Sequence, residues 1–321
     1  MNNKLAYYIK KFKSLKRAHN NGGAPHKPIL LLSLIHLFRT GFYTNNHIEV
    51  TPEFVATFRN YWNKLVLTNH TLNFALPFYH MKSEPFWSLE AKLGFENAIN
   101  YKGSMRSIGN LIKAVKHAKI DQDLTHLLIN PESSEILKLT LLEKYFPEHK
   151  NTSFSYQTDI FNVGLINEDS ESYKKRIIEI KNSIDEESFQ EEVYVRSGIF
   201  KREIPKIYNN TCAISGLRID ATSTISMVDA CHITPFSESY DCSIQNGISL
   251  SPNLHRAFDR GLISISDDYK VLVKDNFIEN LNSSYNLNQF ANKSILLPNS
   301  PNQYPSLENL YLHRKRFDFR A

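Results

Sequence analysis

Apolar residues recur at helical spacing in the first part of the chain. The segment "KLAYYIKKF" follows this spacing, and "KPILLLSLIHLF" (residues 27–38) is an apolar run with Pro28 near its start, where a missing N–H does no harm. This run predicts a buried helix. A second helix is predicted for residues 51–66, with Thr51 as N-cap and Pro52 in the first turn. One stripe of this helix is predicted to be core: Phe54, Val55, Phe58, Tyr61, Trp62 and Leu65.

The segment "LPFYHMKSEPFWSLE" (residues 76–90) has a different pattern. Two prolines interrupt an aromatic-rich stretch, and proline is incompatible with the interior of a regular helix. We therefore expect a loop or short strands here, with aromatic rings that are exposed or line a pocket.

The pattern changes from about residue 151, where a polar, turn-rich stretch leads into a highly charged segment with helical spacing. Such a connector predicts a domain boundary near residue 165, with one domain over residues 1–165 and another over 166–321. The second domain is predicted to contain a strand and turn in "TCAISGLRID", a strand in "STISMVDACHI", a long loop in "TPFSESYDCSIQNGISLS", a glycine-closed helix in "SPNLHRAFDRG" and strands in "LISIS" and "KVLV". The fold class is α+β, with a mainly helical N-terminal domain.

Composition narrows the class of protein. The 321 residues are 41% hydrophobic, which is ordinary for globular domains. No apolar run approaches the roughly 18 residues of a membrane span, and no secretory signal is apparent, so we expect a cytoplasmic protein with no membrane partner. Three cysteines without CxxC spacing argue against a disulfide framework and against a structural zinc site.

The net charge of +5 permits a polyanionic partner, and the basic residues are clustered. One cluster precedes "AHNNGGAPHKP", and "HRKRF" (residues 313–317) lies near the C-terminus. A charge run is usually a solvated face, but two such runs in one chain also permit phosphate contacts. The first cluster comprises Lys10, Lys11, Lys13, Lys16 and Arg17.

Three polar residues of the second domain form the main candidate site. His232 lies in "ACHITPF", and Asn246 and His255 lie in "NGISLSPNLHRAFDRGLISI". Together with "CAISGL", these motifs closely resemble the HNH nuclease family over about residues 205–275. The resemblance implies a compact ββα-metal site that cuts nucleic-acid backbones. It also implies that His232 is the general base, that Asn246 is the loop residue orienting it, and that His255 is a divalent-metal ligand.

The chemistry of phosphodiester hydrolysis agrees with these roles. The reaction needs a base that takes a proton from the attacking water and a cation that stabilises the negative charge developing on the phosphate and the leaving oxygen. Asp259 stands four residues after His255, so both can reach one metal from a helix. Many relatives carry a histidine or aspartate ligand directly before the base, where this chain has Cys231. Either Cys231 is a small buried hydrophobe, which we favour, or it is a ligand; Asp229, on the same strand face, could substitute with the help of a β-bulge.

The N-terminal motifs "APHKPILLLSLIHLF" and "LPFYHMKSEPFWSLE" resemble the sulfur-binding domain of phosphorothioate-dependent restriction endonucleases, over roughly residues 5–110. The resemblance implies an apolar pocket for a phosphorothioate sulfur, but Glu84 stands where relatives often have tyrosine, which puts the sulfur specificity in question. The alternative is that residues 85–87 are only a hydrophobic plug. The candidate DNA-binding residues are Pro85, Phe86 and Trp87 as walls, Ser88 in the same motif, His26 and Lys27 at a helix start, and His80 and Arg106.

Three functional hypotheses are therefore consistent with the sequence. The first is a type IV restriction enzyme that recognises phosphorothioated double-stranded DNA and cleaves it with a magnesium- or manganese-dependent HNH site. The second is an HNH nuclease with another recognition rule, and the third is a non-catalytic DNA-binding protein. Because a duplex needs two cuts and one HNH site makes one at a time, a homodimer is predicted.

Overall fold

The structure is a computed structural model that describes residues 3–19, 22–100, 105–149, 164–219, 226–275, 277–280, 283 and 285–319. The chain divides into two compact units, one formed by residues 1–158 and 184–195 and the other by residues 159–183 and 196–321. It thus passes between the units three times, whereas the sequence predicted one boundary near residue 165. None of the helices in the described ranges is long and apolar enough to cross a membrane.

The first unit is mainly helical, as predicted. Its helices are α1 (Asn3–Lys13), α2 (His26–Arg39), α3 (Pro52–Leu65), α4 (Ala75–His80), α5 (Ile108–Ala114), α6 (Gln122–Ile129) and α7 (Pro131–Tyr145). Its strands are β1 (His47–Ile48), β2 (Trp87–Ala91) and β3 (Val115–Ile120), which form one antiparallel sheet in the order β1-β3-β2.

Helix α2 is the centre of this unit because it is apolar around nearly its whole circumference. Twelve consecutive residues from Lys27 to Phe38 are buried, and α3, α4, α6 and α7 pack around them. The prediction for α3 is also confirmed: the side chain of Thr51 accepts a hydrogen bond from the backbone N–H of Phe54, and the six predicted stripe residues are all buried.

The aromatic segment 76–90 is neither a plain loop nor an exposed surface. Its first part forms α4, and its last part forms most of β2. Phe78, Tyr79, Phe86 and Trp87 are all at most 3% exposed, so their rings belong to the core. The ring of Phe86 packs on Phe12, and that of Trp87 packs on Phe78 edge to face.

The second unit is built around a strand–strand–helix motif. Strands β4 (Asp229–His232) and β5 (Gly247–Leu250) pair antiparallel, and helix α11 (Pro252–Asp259) packs against β4. The other elements are α8 (Ser170–Ser183), the part of α9 (Glu186–Ile207) from Arg196, α10 (Phe236–Ser239), β6 (Ile263–Ile265), β7 (Val271–Val273) and α12 (Leu307–Arg316).

Several sequence predictions for this unit need correction. The stretch 211–219 forms turns rather than a strand, while residues 220–225 lie outside the described residues. Strand β5 occupies the end of the segment predicted as a long loop. The β4–β5 register runs regularly from Asp229 opposite Leu250 to His232 opposite Gly247, so no bulge is present. The helix and the two following strands are confirmed.

Candidate functional site

His232 lies at the end of β4 with its ring clamped on one face. The ring of Phe200, from α9, stacks on the imidazole with centroids 3.9 Å apart and planes 10° apart. Phe200 can approach so closely because the opposite strand position is Gly247, where a Cβ atom would lie 2.3 Å from Ile204 and 2.9 Å from Phe200. Burial, helped by the positive charge of Lys201, lowers the pKa of His232 to about 4. At neutral pH the imidazole is therefore uncharged and can accept a proton.

Asn246 is fully buried, and its side-chain hydrogen bonds go to backbone groups rather than to the His232 side chain. Its Oδ1 accepts the backbone N–H of Thr234 at 2.8 Å, and its Nδ2 donates to the backbone carbonyls of Thr234 at 3.0 Å and of Asp241 at 2.9 Å. Its own backbone carbonyl accepts the N–H of Ile233. Asn246 therefore ties the segment after His232 to the segment at Asp241, so any orientation of the base by Asn246 is indirect.

A group of metal-ligand atoms lies between β4 and α11. One ligand atom each of Cys231, His255 and Asp259 lies within 4.8 Å of the others, and in the described part of the chain no second group of three meets this condition. Nε2 of His255 is 3.4 Å from Oδ2 of Asp259, and Nδ1 of His255 is 3.7 Å from Oδ2 of Asp229. Strand alternation places Asp229 and Cys231 on one face without a bulge.

The donors in this group differ in character. Asp229 and Asp259 are both about half exposed, whereas Cys231 is fully buried with its Sγ 3.8 Å from Oδ1 of Asp259. Burial, reinforced by the charge of Asp259, raises the pKa of the Cys231 thiol well above its ordinary value. The imidazole and carboxylates thus fit a hard divalent cation, and the neutral thiol is consistent with a small buried side chain.

His232, His255 and Asp259 line one cleft of about 520 Å³. Part of its wall comes from the C-terminal end of the chain, namely Arg316 and Phe317. The guanidinium of Arg316 is paired with the Glu238 carboxylate on α10. An open cleft with a neutral base on one side and a carboxylate–imidazole pair on the other is a suitable arrangement for hydrolysis of a phosphodiester.

The chain was compared with protein families, curated proteins and solved structures. Residues 212–266 match the HNH endonuclease family. The chain carries an HNH endonuclease domain. No curated protein matches the chain. Among solved structures, the chain is similar to a modification-dependent restriction endonuclease, TagI, with 22% sequence identity and a TM-score of 0.29 over 39% of each chain.

The HNH domain contains β4, β5, α11 and β6, and so spans His232, Asn246 and His255. HNH nucleases generally depend on a divalent metal, and the residues present fit one: the His255 imidazole and the Asp259 carboxylate both line the cleft, and the Asp229 carboxylate lies against the other ring nitrogen of His255. The basic run near the C-terminus lies outside the matched residues, and the structure uses much of it internally. His313 stacks on Phe258, and Arg314 pairs with Asp267.

In the first unit, Lys27 is not presented to solvent as a phosphate contact would require. Its ammonium donates to Oε1 of Glu84 at 2.5 Å and to Oγ of Ser83 at 2.7 Å, and both charged side chains are less than 10% exposed. Glu84 also accepts the backbone N–H of Lys16. The ring of His26 packs on that of Trp62 with the planes tilted by 58°, and its Nε2 lies 2.9 Å from the carbonyl oxygen of Thr71.

A pocket of about 410 Å³ lies above this ion pair. Its walls are mainly apolar and include Leu76 and Pro77. Basic side chains complete the lining: Lys16, Arg17, His26, Lys27 and His80. The structure thus brings together three of the predicted DNA-binding residues, His26, Lys27 and His80, although His80 lies 53 residues after Lys27 in the sequence.

The other predicted DNA-binding residues lie elsewhere in the unit. A shallower pocket is lined by Pro85, Phe86, Trp87 and Ser88 together with Lys119 of β3. Pro85 and Ser88 are exposed, but the rings of Phe86 and Trp87 are buried, as a hydrophobic plug requires. Arg106 is exposed at the start of α5 and is not part of either pocket lining.

Sequence reasoning missed several residues of the HNH site. Phe200 belongs to a charged helical segment with no motif, and Cys242 has no recognisable spacing to His232. Arg316 was noted only as part of a basic run. Each reaches the site through tertiary packing, for which a single sequence contains no signal.

Proposed function

We propose that this protein is a DNA endonuclease that recognises phosphorothioate-modified duplex DNA through its first unit and hydrolyses the backbone in its HNH domain. The observation that carries the proposal is the cleft that His232, His255 and Asp259 share. A neutral histidine stacked on Phe200 lies there opposite an imidazole–carboxylate group.

In the proposed reaction, His232 takes the proton of the attacking water. Its pKa of about 4 keeps it unprotonated at neutral pH, and the stack on Phe200 holds the ring while the proton is transferred. His255 and Asp259 would hold a divalent cation, for which magnesium or manganese suits the oxygen and nitrogen donors. Asp229, which lies at the other ring nitrogen of His255, is proposed as a further ligand. When bound, this cation supplies charge stabilisation for the phosphate and the leaving oxygen.

The first unit supports recognition of a modified backbone through the pocket above Lys27. A phosphorothioate sulfur is larger and less hydrated than a phosphate oxygen, so apolar walls such as Leu76 and Pro77 favour it. The cationic side chains of Lys16 and Arg17 in the lining would attract the neighbouring phosphates, and His26 and His80 are proposed as DNA contacts in the same pocket. Pro85, Ser88 and Arg106 are proposed as further DNA contacts from the same unit.

One observation favours a second candidate, an HNH nuclease with a different recognition rule. Glu84 pairs with Lys27 and offsets its charge, so this ammonium of the lining is not free to bind a phosphorothioate anion. A recognition rule that does not use this charge, such as binding of a neutral modified base, agrees with the pairing.

Cleavage of paired plasmids tests the proposal. The two plasmids have the same sequence, with and without backbone phosphorothioation, and are incubated with magnesium or manganese. We expect cutting of the modified plasmid only, loss of cutting with chelator, and a reduction of about 100-fold or more in His232→Ala because a general base is removed.

Equal cutting of both plasmids would reject the sulfur recognition and leave the nuclease. Absence of cutting on either plasmid, with His232→Ala binding DNA as well as the wild type, would reject hydrolysis of these substrates. A control variant, Arg256→Ala, changes an exposed side chain of α11 and should cut like the wild type.

A further inference from the structure

A buried thiol lies against the catalytic histidine. Sγ of Cys242 is 3.7 Å from Nε2 of His232, and Cys242 itself is fully buried. Across the residues that the structure describes, Nδ1 of His232 takes part in no hydrogen bond. We propose that Cys242 is a positioning residue that accepts a hydrogen bond from Nε2–H of His232 and so leaves Nδ1 as the nitrogen that takes the proton of water.

The chemistry of imidazole explains why this contact matters. A neutral imidazole carries one N–H donor and one lone-pair acceptor, and the partner of one nitrogen decides which tautomer is present. A neutral thiol can donate its S–H or accept at its sulfur. Acceptance from Nε2–H, which we propose, would fix the tautomer without adding a charge. Burial raises the pKa of Cys242 to about 12, which keeps the thiol neutral beside the base.

The segment that carries Cys242 is firmly held in place. Asp241 is fully buried, and its carboxylate accepts hydrogen bonds from Oγ of Ser170 at 2.5 Å and from the backbone N–H of Ser243 at 2.8 Å. Its backbone carbonyl accepts Nδ2 of Asn246, which also binds Thr234 on the His232 side. Asn246 thus connects the two segments whose side chains meet at the Cys242–His232 contact.

This connection accounts for how Asn246 can orient a base that it does not touch. Asn246 sets the distance between the backbone segments, Cys242 fixes the nitrogen that faces inward, and Phe200 fixes the ring plane. The stack on Phe200 alone cannot select a tautomer, because a ring flip preserves it. Cys242 is therefore the side chain that distinguishes the two nitrogens. The inference rests on the nuclease function proposed above for the role of Nδ1.

The first test measures the tautomer of His232 by long-range ¹H–¹⁵N correlation spectroscopy of the full chain near neutral pH. His232→Gln assigns the signal. We expect the Nε2–H tautomer in the wild type and in Cys242→Ser, whose hydroxyl can still accept, and a mixture or the Nδ1–H tautomer in Cys242→Ala. A wild-type signal from the Nδ1–H tautomer, or an unchanged tautomer in Cys242→Ala, would overturn the inference.

This measurement needs no DNA, so its result does not depend on whether the proposed nuclease function is correct.

Cleavage kinetics provide the second test. Cys242→Ala should lower kcat by about tenfold or more with little change in KM, because the nitrogen that faces water loses its lone pair in part of the molecules. Cys242→Ser should recover most of this loss.

Cys212→Ala is the matched control, since Cys212 is also fully buried but bonds Oγ of Ser251 rather than His232. Its tautomer spectrum and kcat should be those of the wild type. If Cys212→Ala lowered kcat as much as Cys242→Ala at equal thermal stability, general loosening of the core would explain the effect and the positioning role would be rejected.

Discussion

Lys27 and Glu84 form an ion pair from which water is almost excluded. The ammonium has two partners, Glu84 and Ser83, and the carboxylate has Lys27 and the backbone N–H of Lys16. A buried ion pair with its hydrogen bonds satisfied in this way contributes little net free energy of folding compared with an apolar pair of similar volume. Loss of one partner, however, leaves an unpaired buried charge. The pair is therefore a structural element of the pocket floor.

Glu84→Gln should lower the free energy of unfolding of the first unit by about 3–5 kcal/mol, because the buried ammonium loses its counter-charge. The double variant Lys27→Met/Glu84→Leu should be closer to the wild type, since it removes both charges. Urea unfolding followed by tryptophan fluorescence measures this, because both tryptophans of the chain, Trp62 and Trp87, lie in the first unit. Equal stability of Glu84→Gln and wild type would contradict the assigned role.

At the scale of elements, helix α9 contributes a buried acid to the first unit. Glu191 is 1% exposed, and its Oε1 accepts the backbone N–H of Phe74 at 2.8 Å, next to the start of α4. Its Oε2 is buried and has no hydrogen-bond partner within the described ranges. Burial raises the pKa of Glu191 to about 7, so this carboxyl holds a proton in the folded state at pH values where it would be ionised in the unfolded chain.

The stability of the first unit should therefore depend on pH. The stabilisation from protonated Glu191 is fully present below the unfolded pKa of about 4.5 and is lost as the pH rises through the folded pKa of about 7. The loss of unfolding free energy between these pH values is on the order of 2–3 kcal/mol. Glu191→Gln mimics the protonated acid and should remove this dependence, so it should be more stable than the wild type above pH 7. Urea unfolding at several pH values tests this. Parallel pH profiles of the two proteins would contradict it.

The elements show which parts of the fold a single sequence can predict. Helices α2 and α3 and the α11–β6–β7 series follow from local periodicity, a cap and glycine punctuation, and these signals act within the element itself. Strand β5 was missed because the Asn246-Gly247 pair is typical of a turn and was included in the predicted loop. In the structure Gly247 begins β5, and its missing side chain leaves room for the ring of Phe200. The rings of segment 76–90 were expected to be exposed or to line a pocket. They are buried in the core, and Phe86 and Trp87 also border a pocket, because the surrounding elements determine which side of α4 and β2 is covered.

The same distinction applies to the candidate site. His232, His255 and Asp259 were identified because their motif is local, and the structure places them in one cleft. The expected phosphate contact of Lys27 did not allow for Glu84, which lies 57 residues away and pairs with it. Contacts of this kind depend on tertiary packing, and so do the approaches of Phe200, Cys242 and Arg316 to the HNH site.

At the scale of the whole molecule, the number of sites determines what one protein can cut. One chain contains one HNH site, which breaks one strand at a time, whereas the strands of a duplex run antiparallel. Two chains related by two-fold symmetry would present two sites in matching orientation, so we propose that the active form is a homodimer.

Mixing wild type with an excess of His232→Ala tests this proposal. A mixed dimer holds one active and one inactive site, so it should nick a modified plasmid and the linear product should fall faster than the total number of cuts. Sedimentation of the protein should give twice the mass of one chain. The alternative is that one chain makes both cuts in succession. In that case the protein would sediment as a single chain, and the linear product would fall only in proportion to the wild-type fraction. The two outcomes differ most at high excess of the variant, where nearly every wild-type chain in a dimer has an inactive partner.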